Sequence, residues 1–154
     1  MNEPAIQDCY DPEFQHCYGC GERNDTGLKI KSFREGDEVV ARFAVRPDQL
    51  GVPGVVYGGL IASLIDCHGI ATGAAHFQDR DGLPHPPRCV TASLKVDYRK
   101  PTMMASGTVH LRARVVEASE RKAVVDIEFG DGETVTAEGQ VIAVKLPEHL
   151  QGGT

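Results

Sequence analysis

In the stretch GVVYGGLIASLIDCHG, residues 54–69, a glycine pair opens an apolar run that carries one carboxylate, Asp66, two turns further on. Gly58 and Gly59 have no side chain to keep a ligand oxygen away from the backbone. At a helix N-terminus their N–H groups and the aligned peptide dipoles favour negative charge. Asp66 is the odd member, because an ionised carboxylate among Leu60, Ile61, Ala62, Leu64 and Ile65 is costly unless it is paired or employed. A backbone donor for a developing oxyanion, together with a general base, is the chemistry this pattern allows. Tight packing at a helix start and a salt-bridged carboxylate are the structural alternatives.

Two other groups of residues invite chemistry and are weighed differently. His68 follows Asp66 by two positions, about 200° around a helix, so the two form no close dyad and His68 reads as a core histidine. His76, His85, His110 and His149 have no visible partner. Cys17 and Cys20, with His16 beside them and Cys9 upstream, make half of a zinc pattern. The second Cys-x-x-Cys or His-x-x-x-His half is missing, and adjacent His16 and Cys17 rarely bind one ion together, so no metal is expected. Five cysteines form an odd set, and the N-terminus lacks the basic start and apolar core of an export signal. Reduced thiols and a cytoplasmic protein are the expectation.

The elements that must position these residues follow from periodicity. Residues 1–25 are polar and broken by Pro4, Pro12, Gly19 and Gly21, and read as a loop-rich lead-in. Leu28 to Phe33 and Glu38 to Val45 alternate around Glu35-Gly36-Asp37 as a hairpin. From Gly59 to about Phe77, Leu60, Ile61, Leu64, Ile65, Ala71, Ala74 and Ala75 recur at helical spacing, which predicts a largely buried helix. Residues 78–88 hold three prolines and Asp81-Gly82, and read as a loop at a substrate entrance. Four strands follow: Cys89 to Tyr98, Gly107 to Ala118, Arg121 to Phe129 and Thr134 to Lys145. The class is α+β, with a curved antiparallel sheet of about six strands wrapped around one long central helix. At 154 residues the chain suits one domain, taken as 26–146, with 147–154 as a C-terminal tail. A formal charge of −6 argues against a nucleic-acid partner, and no apolar run is long enough for a membrane span.

Strand-strand-helix-four strands, with PGVVYGGLIASLID at the start of the helix, resembles the hotdog-fold acyl-CoA thioesterases of the PaaI-like and 4-hydroxybenzoyl-CoA thioesterase group. The shared pattern is Pro-Gly, three residues, Gly-Gly, and a carboxylate eight residues after the first glycine of that pair. The strand VTASLKVDYRKP is similar to the family's strand ending in Tyr-x-x-Pro, and HCYGCGERNDTGLKI to an opening found in a subset of it. The likeness spans residues 17 to 146.

The resemblance implies hydrolysis of an acyl-CoA thioester to acid and thiol. The Gly58 N–H would polarise the carbonyl, Asp66 would act as base or nucleophile, and the Thr91 hydroxyl would hold the water. Gly58 and Asp66 lie about 12 Å apart along one helix, too far to serve one carbonyl carbon, so each site must combine two chains. That agrees with the family's homodimer, which can pair again as a tetramer. Gly59 completes the helix start. Tyr57 stands where most relatives have His, and Gln49 is the nearest upstream amide for a second carbonyl donor. Arg99 and Lys100 are the candidates for coenzyme A phosphates, and Leu64, Ile65 and the 78–88 loop for the acyl group. No cofactor is implied, since coenzyme A is part of the substrate. Tyr57 also keeps open a noncatalytic acyl-CoA or fatty-acid binding module, and the cysteines a zinc-stabilised interaction domain.

Overall fold

Alternation of apolar and polar side chains becomes a two-faced sheet in the computed structural model, which describes residues 3–151. The strands are β1 Ser32–Glu35, β2 Glu38–Ala44, β3 Cys89–Tyr98, β4 Thr108–Ala118, β5 Lys122–Gly130 and β6 Val135–Lys145. All pair antiparallel in the order β1-β2-β4-β5-β6-β3. Val109, Leu111 and Ala113 of β4 and Ala123, Val125, Ile127 and Phe129 of β5 are buried. They face one helix, α1 Gly58–Asp81, which packs against β3, β4, β5 and β6. This is the hotdog fold that the resemblance implied.

The helix lies close to the sheet because small residues meet at matched intervals. A Cβ on Gly69 would stand 2.6 Å from Val141, one on Gly73 2.7 Å from Ala143, and one on Gly139 2.5 Å from Ile65. Four helical residues rise about 6 Å and two strand residues about 6.8 Å. Ile65, Gly69 and Gly73 therefore step along Gly139, Val141 and Ala143, and α1 runs alongside β6 in the same direction. Any added methyl on this seam forces the two layers apart.

Beyond shifts of one or two residues at strand ends, two boundaries differ from the sequence expectation and the lead-in is more closely packed than its composition implies. First, β1 begins at Ser32 rather than Leu28, because Lys29 adopts φ 58° and the N–H groups of Leu28 and Ile30 bond to Tyr18 and Gly19 carbonyls of the lead-in. Second, α1 continues past Phe77 to Asp81 and stops at Gly82, whose φ of 62° lets its N–H reach the Gln78 carbonyl. The Gln78–Asp81 part of the expected loop is therefore helical. It is held there by Arg80, which donates to the Ser119 and Glu120 carbonyls, and by Lys145 paired with Asp81. The lead-in contains 3-10 turns at Ile6–Cys9 and Pro12–Phe14 and packs Ala5, Ile6, Gln7 and Cys20 into the interior.

Among the described residues no helix is long and apolar enough to cross a membrane.

Candidate active site

Asp66 follows the helix-sheet seam by one residue, which turns it about 100° from Ile65 toward β3. It is half-buried, and its Oδ1 accepts a hydrogen bond from Thr91 Oγ1 at 2.6 Å. Among the described residues no hydrogen bond occupies Oδ2. Partial burial raises the Asp66 carboxyl above its usual range, the Thr91 hydrogen bond opposes the rise, and the nearby Cys17 adds to it. Thr91 aims at the helix from a β-bulge, where the β3–β6 register shifts between Thr91 and Ser93. The sequence expectation gave Thr91 a water to hold. In the structure its proton goes to the carboxylate, so its first effect is to orient Asp66.

The two residues open on a cavity of ≈ 420 Å³ between the lead-in, α1 and the start of β3. Phe14, Ile70, Pro86 and Pro87 supply apolar wall, and Arg88 places its guanidinium 4.3 Å from the centre of the Phe14 ring. Residues 86–88 thus do border the cavity. A hollow of ≈ 480 Å³ on the other side of the sheet, lined by Phe33, Arg42 and His110, holds none of the residues expected to act on or bind a substrate.

At the helix start, the Gly58 and Gly59 N–H groups make no backbone hydrogen bond among the described residues, whereas Leu60 and Ile61 already bond to the Tyr57 carbonyl. A Cβ on Gly59 would sit 2.5 Å from the Tyr57 ring as it now lies, so a side chain there would turn that exposed ring aside. Gly58 has room, with Tyr98 atoms 3.6 Å from a would-be Cβ, and its carbonyl accepts the Tyr98 hydroxyl at 2.6 Å. Tyr57 is exposed and caps nothing with its side chain. Gln49 lies beside this helix start, since its carbonyl accepts the Tyr57 N–H at 3.0 Å. Its Oε1 is used by the Arg46 N–H at 2.8 Å, which leaves Nε2 as the available donor.

Leu64 and Ile65 correct the sequence expectation. Both have no accessible surface and belong to the core between helix and sheet, so neither can touch an acyl group unless the core opens. Arg99 is ion-paired with Glu138 at 3.2 Å, and Lys100 is exposed at the end of β3. His68 is fully buried: Nε2 donates to the Val39 carbonyl at 3.0 Å and Nδ1 accepts from Ser32 Oγ at 2.8 Å. Gln7 completes the cluster through Nε2 to Ser32 Oγ and Oε1 from the Ser32 N–H. Burial lowers the imidazole from 6.5 to about 4, so it is neutral.

Cys67, Tyr10 and Arg88 beside the site carry no sequence pattern of their own, whereas Tyr98 is the tyrosine of the Tyr-x-x-Pro strand end. Cys67, next to Asp66, comes within 3.7 Å of Cys17 between the sulfurs. Cys17 is held down to about 2 by hydrogen bonds from the Cys20 and Cys67 thiols, while donating to Cys17 pushes Cys20 up to about 12 and Cys67 well above the thiol range. Tyr10 borders the same cavity, and its hydroxyl oxygen is buried with no hydrogen-bond partner among the described residues. Arg88 and Tyr98 lie at opposite ends of β3. The clearest clue in the sequence was the contiguity of Asp66 and Cys67.

The sequence profile described as Thioesterase superfamily matches residues 53–138, a span that includes the glycine pair, Asp66 and Thr91. No curated protein matches. Among solved structures, a thioesterase superfamily protein from Shewanella loihica PV-4 is 38% identical, over 90% of this chain and 100% of that one, with a TM-score of 0.69. The PaaI protein from the phenylacetic acid degradation operon of E. coli is similar in fold at 18% identity, 78% and 81% coverage and a TM-score of 0.63. A phenylacetic acid degradation-related protein from Ralstonia eutropha JMP134 is likewise similar in fold, at 17% identity, 76% and 85% coverage and a TM-score of 0.64.

Proposed function

The chain belongs to the thioesterase superfamily, a family of thioester hydrolases, and we propose that it splits acyl-CoA thioesters into acid and coenzyme A at Asp66. One observation carries the reading: a half-buried carboxylate held through one oxygen by Thr91 at 2.6 Å, its other oxygen without a hydrogen bond among the described residues, on a cavity of ≈ 420 Å³. A carboxylate raised above its ordinary range is a better base than an exposed one, and general-base catalysis contributes about 10² to 10⁴ in rate.

Oδ2 takes a proton from water, and the oxygen of that water bonds to the thioester carbon. The carbonyl oxygen gains the electron pair, held by the Gly58 N–H and by Gln49 Nε2. Collapse breaks the carbon–sulfur bond, and the leaving thiolate takes up the proton that Asp66 holds. A direct attack by Oδ2 forms an acyl-enzyme anhydride instead, which water then opens to the same products.

Gly58 and Asp66 stand about 12 Å apart along α1, so the two halves of a site come from two copies of the chain. Support for such a dimer lies in β3. It is an edge strand of the sheet, among the described residues it pairs only with β6, and it exposes Val90, Leu94 and Tyr98. An open edge with apolar side chains is a surface for pairing with a second edge. A twofold axis there yields two equivalent sites.

The deciding experiment is thiol release from benzoyl-, phenylacetyl- and octanoyl-CoA by the unmodified protein and by Asp66→Asn. Release that falls at least about a hundredfold in the variant supports the reading. An unchanged rate removes Asp66 from the chemistry. Acyl-CoA binding without release would make the protein a binding module, with Tyr57 the residue to revert to His.

A further inference from the structure

We propose that Cys17, Cys20 and Cys67 form a site for one thiophilic divalent cation, zinc foremost, which pins the N-terminal lead-in to α1 beside the Asp66 cavity. The three sulfurs lie within 4.8 Å of one another, and those of Cys17 and Cys67 are 3.7 Å apart. Thiolates about 2.3 Å from a tetrahedral zinc stand about 3.8 Å from each other, so the cluster closes on an ion with shifts of about 1 Å or less.

The loop around the cysteines is built for that approach. A Cβ on Gly19 would run into Cys67 Sγ, and one on Gly21 would meet the Cys17 backbone nitrogen at 2.5 Å. Side-chain-free positions therefore let the Cys-x-x-Cys turn lie directly on the helix. All five cysteines are free thiols.

A second observation is independent of the sulfurs. The buried Tyr10 hydroxyl has no partner among the described residues and borders the cavity that all three cysteines line. Three protein ligands leave a fourth tetrahedral position, which a water fills from the cavity. That water donates a hydrogen bond that the Tyr10 hydroxyl oxygen can accept. Zinc binding sends the protons of the neutral thiols to solvent and changes no oxidation state, so no oxidant or reductant is needed. The assigned role is structural: the ion closes the lead-in over the wall that contains Asp66, and no step of hydrolysis passes through it.

The test uses the full chain purified with reductant and without chelator. Metal content is measured, cysteines are mapped by alkylation, and zinc is exchanged for Co²⁺. One zinc per chain, protection of Cys17, Cys20 and Cys67 but not Cys9, and a sulfur-to-cobalt charge-transfer band are expected. Cys17→Ser and Cys20→Ser should each abolish the band, and Cys9→Ser should keep it. Because Cys67→Ser lies inside the helix and risks the fold, chelation of the unmodified chain replaces it: removal of zinc should expose Cys67 to alkylation and speed proteolysis within residues 10–27. The proposal is overturned by metal content below about 0.1 per chain after reduced protein is offered zinc. It is equally overturned by a cobalt band that survives Cys17→Ser with Cys20→Ser, or by alkylation of Cys67 that ignores chelation.

Discussion

Asp66 and His68 are two residues apart on one helix, and their surroundings assign them opposite work. Asp66 has one oxygen bound by Thr91 and one without a hydrogen bond among the described residues, and it borders a cavity. His68 has both ring nitrogens bonded, to Ser32 and to the Val39 carbonyl, and no accessible surface. Both titratable groups are shifted toward neutrality by burial, the carboxyl upward and the imidazole to about 4. A perturbed ionisation therefore does not by itself separate catalysis from structure. Unfilled hydrogen-bonding capacity facing a space large enough for a ligand does.

The comparison is sharpest in activity. Asp66→Asn should lower kcat for thiol release by at least about a hundredfold with the melting temperature unchanged, and steady-state kinetics beside a thermal melt reads both. His68→Ala should do the reverse. It leaves the Val39 carbonyl and Ser32 hydroxyl without a partner and a hole beneath α1, a loss of about 3 kcal/mol in chemical denaturation, while activity per folded molecule stays within about twofold. A large activity loss in folded His68→Ala would erase the distinction drawn between the two residues.

Acid separates the pair in a second way. The folded imidazole titrates near 4 against 6.5 when free, so the unfolded chain takes up the proton first. The contribution of neutral His68 is complete above pH about 6.5 and is lost as pH falls toward 4, by about 3 kcal/mol in total. Denaturation midpoints across that window should show this slope, and it should vanish in His68→Ala. The acid limb of kcat/KM, set by Asp66, should lie above the ordinary carboxylate range. Thr91→Val removes the hydrogen bond that opposes the rise, so it should move that limb to still higher pH and cost about tenfold in rate. A limb that stays in place would mean that Thr91 does not act through Asp66. The smallest expected effect is Gly82→Ala, about 1 kcal/mol from forcing a side chain into φ 62° at the helix end, with no change in rate.

Much of the fold was legible in the chain because periodicity reports which side chains share a face. β4 and β5 alternate as expected, and α1 begins at the glycine pair. The misplaced boundaries have causes that pattern does not carry: the positive φ at Lys29, and the tie of Arg80 to carbonyls of a turn 39 and 40 residues away. The resemblance implies an apolar acyl tunnel between two central helices, with Leu64 and Ile65 on its wall. Helical geometry points them into the sheet instead, where they have no accessible surface.

The sequence by itself determined the helix that carries Asp66, the glycine pair with open N–H groups at its start, and the distance along the axis that keeps the two from sharing one substrate carbonyl. These are local properties, set by residue type and by the helical rise. Tertiary structure alone decided which groups face Asp66. A bulge in β3 aims the Thr91 hydroxyl at it from 25 residues away, and the lead-in, folded back across the helix, brings Cys17 and Cys20 to Cys67 across about 50. Such juxtapositions depend on register and on how closely glycine-bearing backbones approach, and neither leaves a period in the sequence.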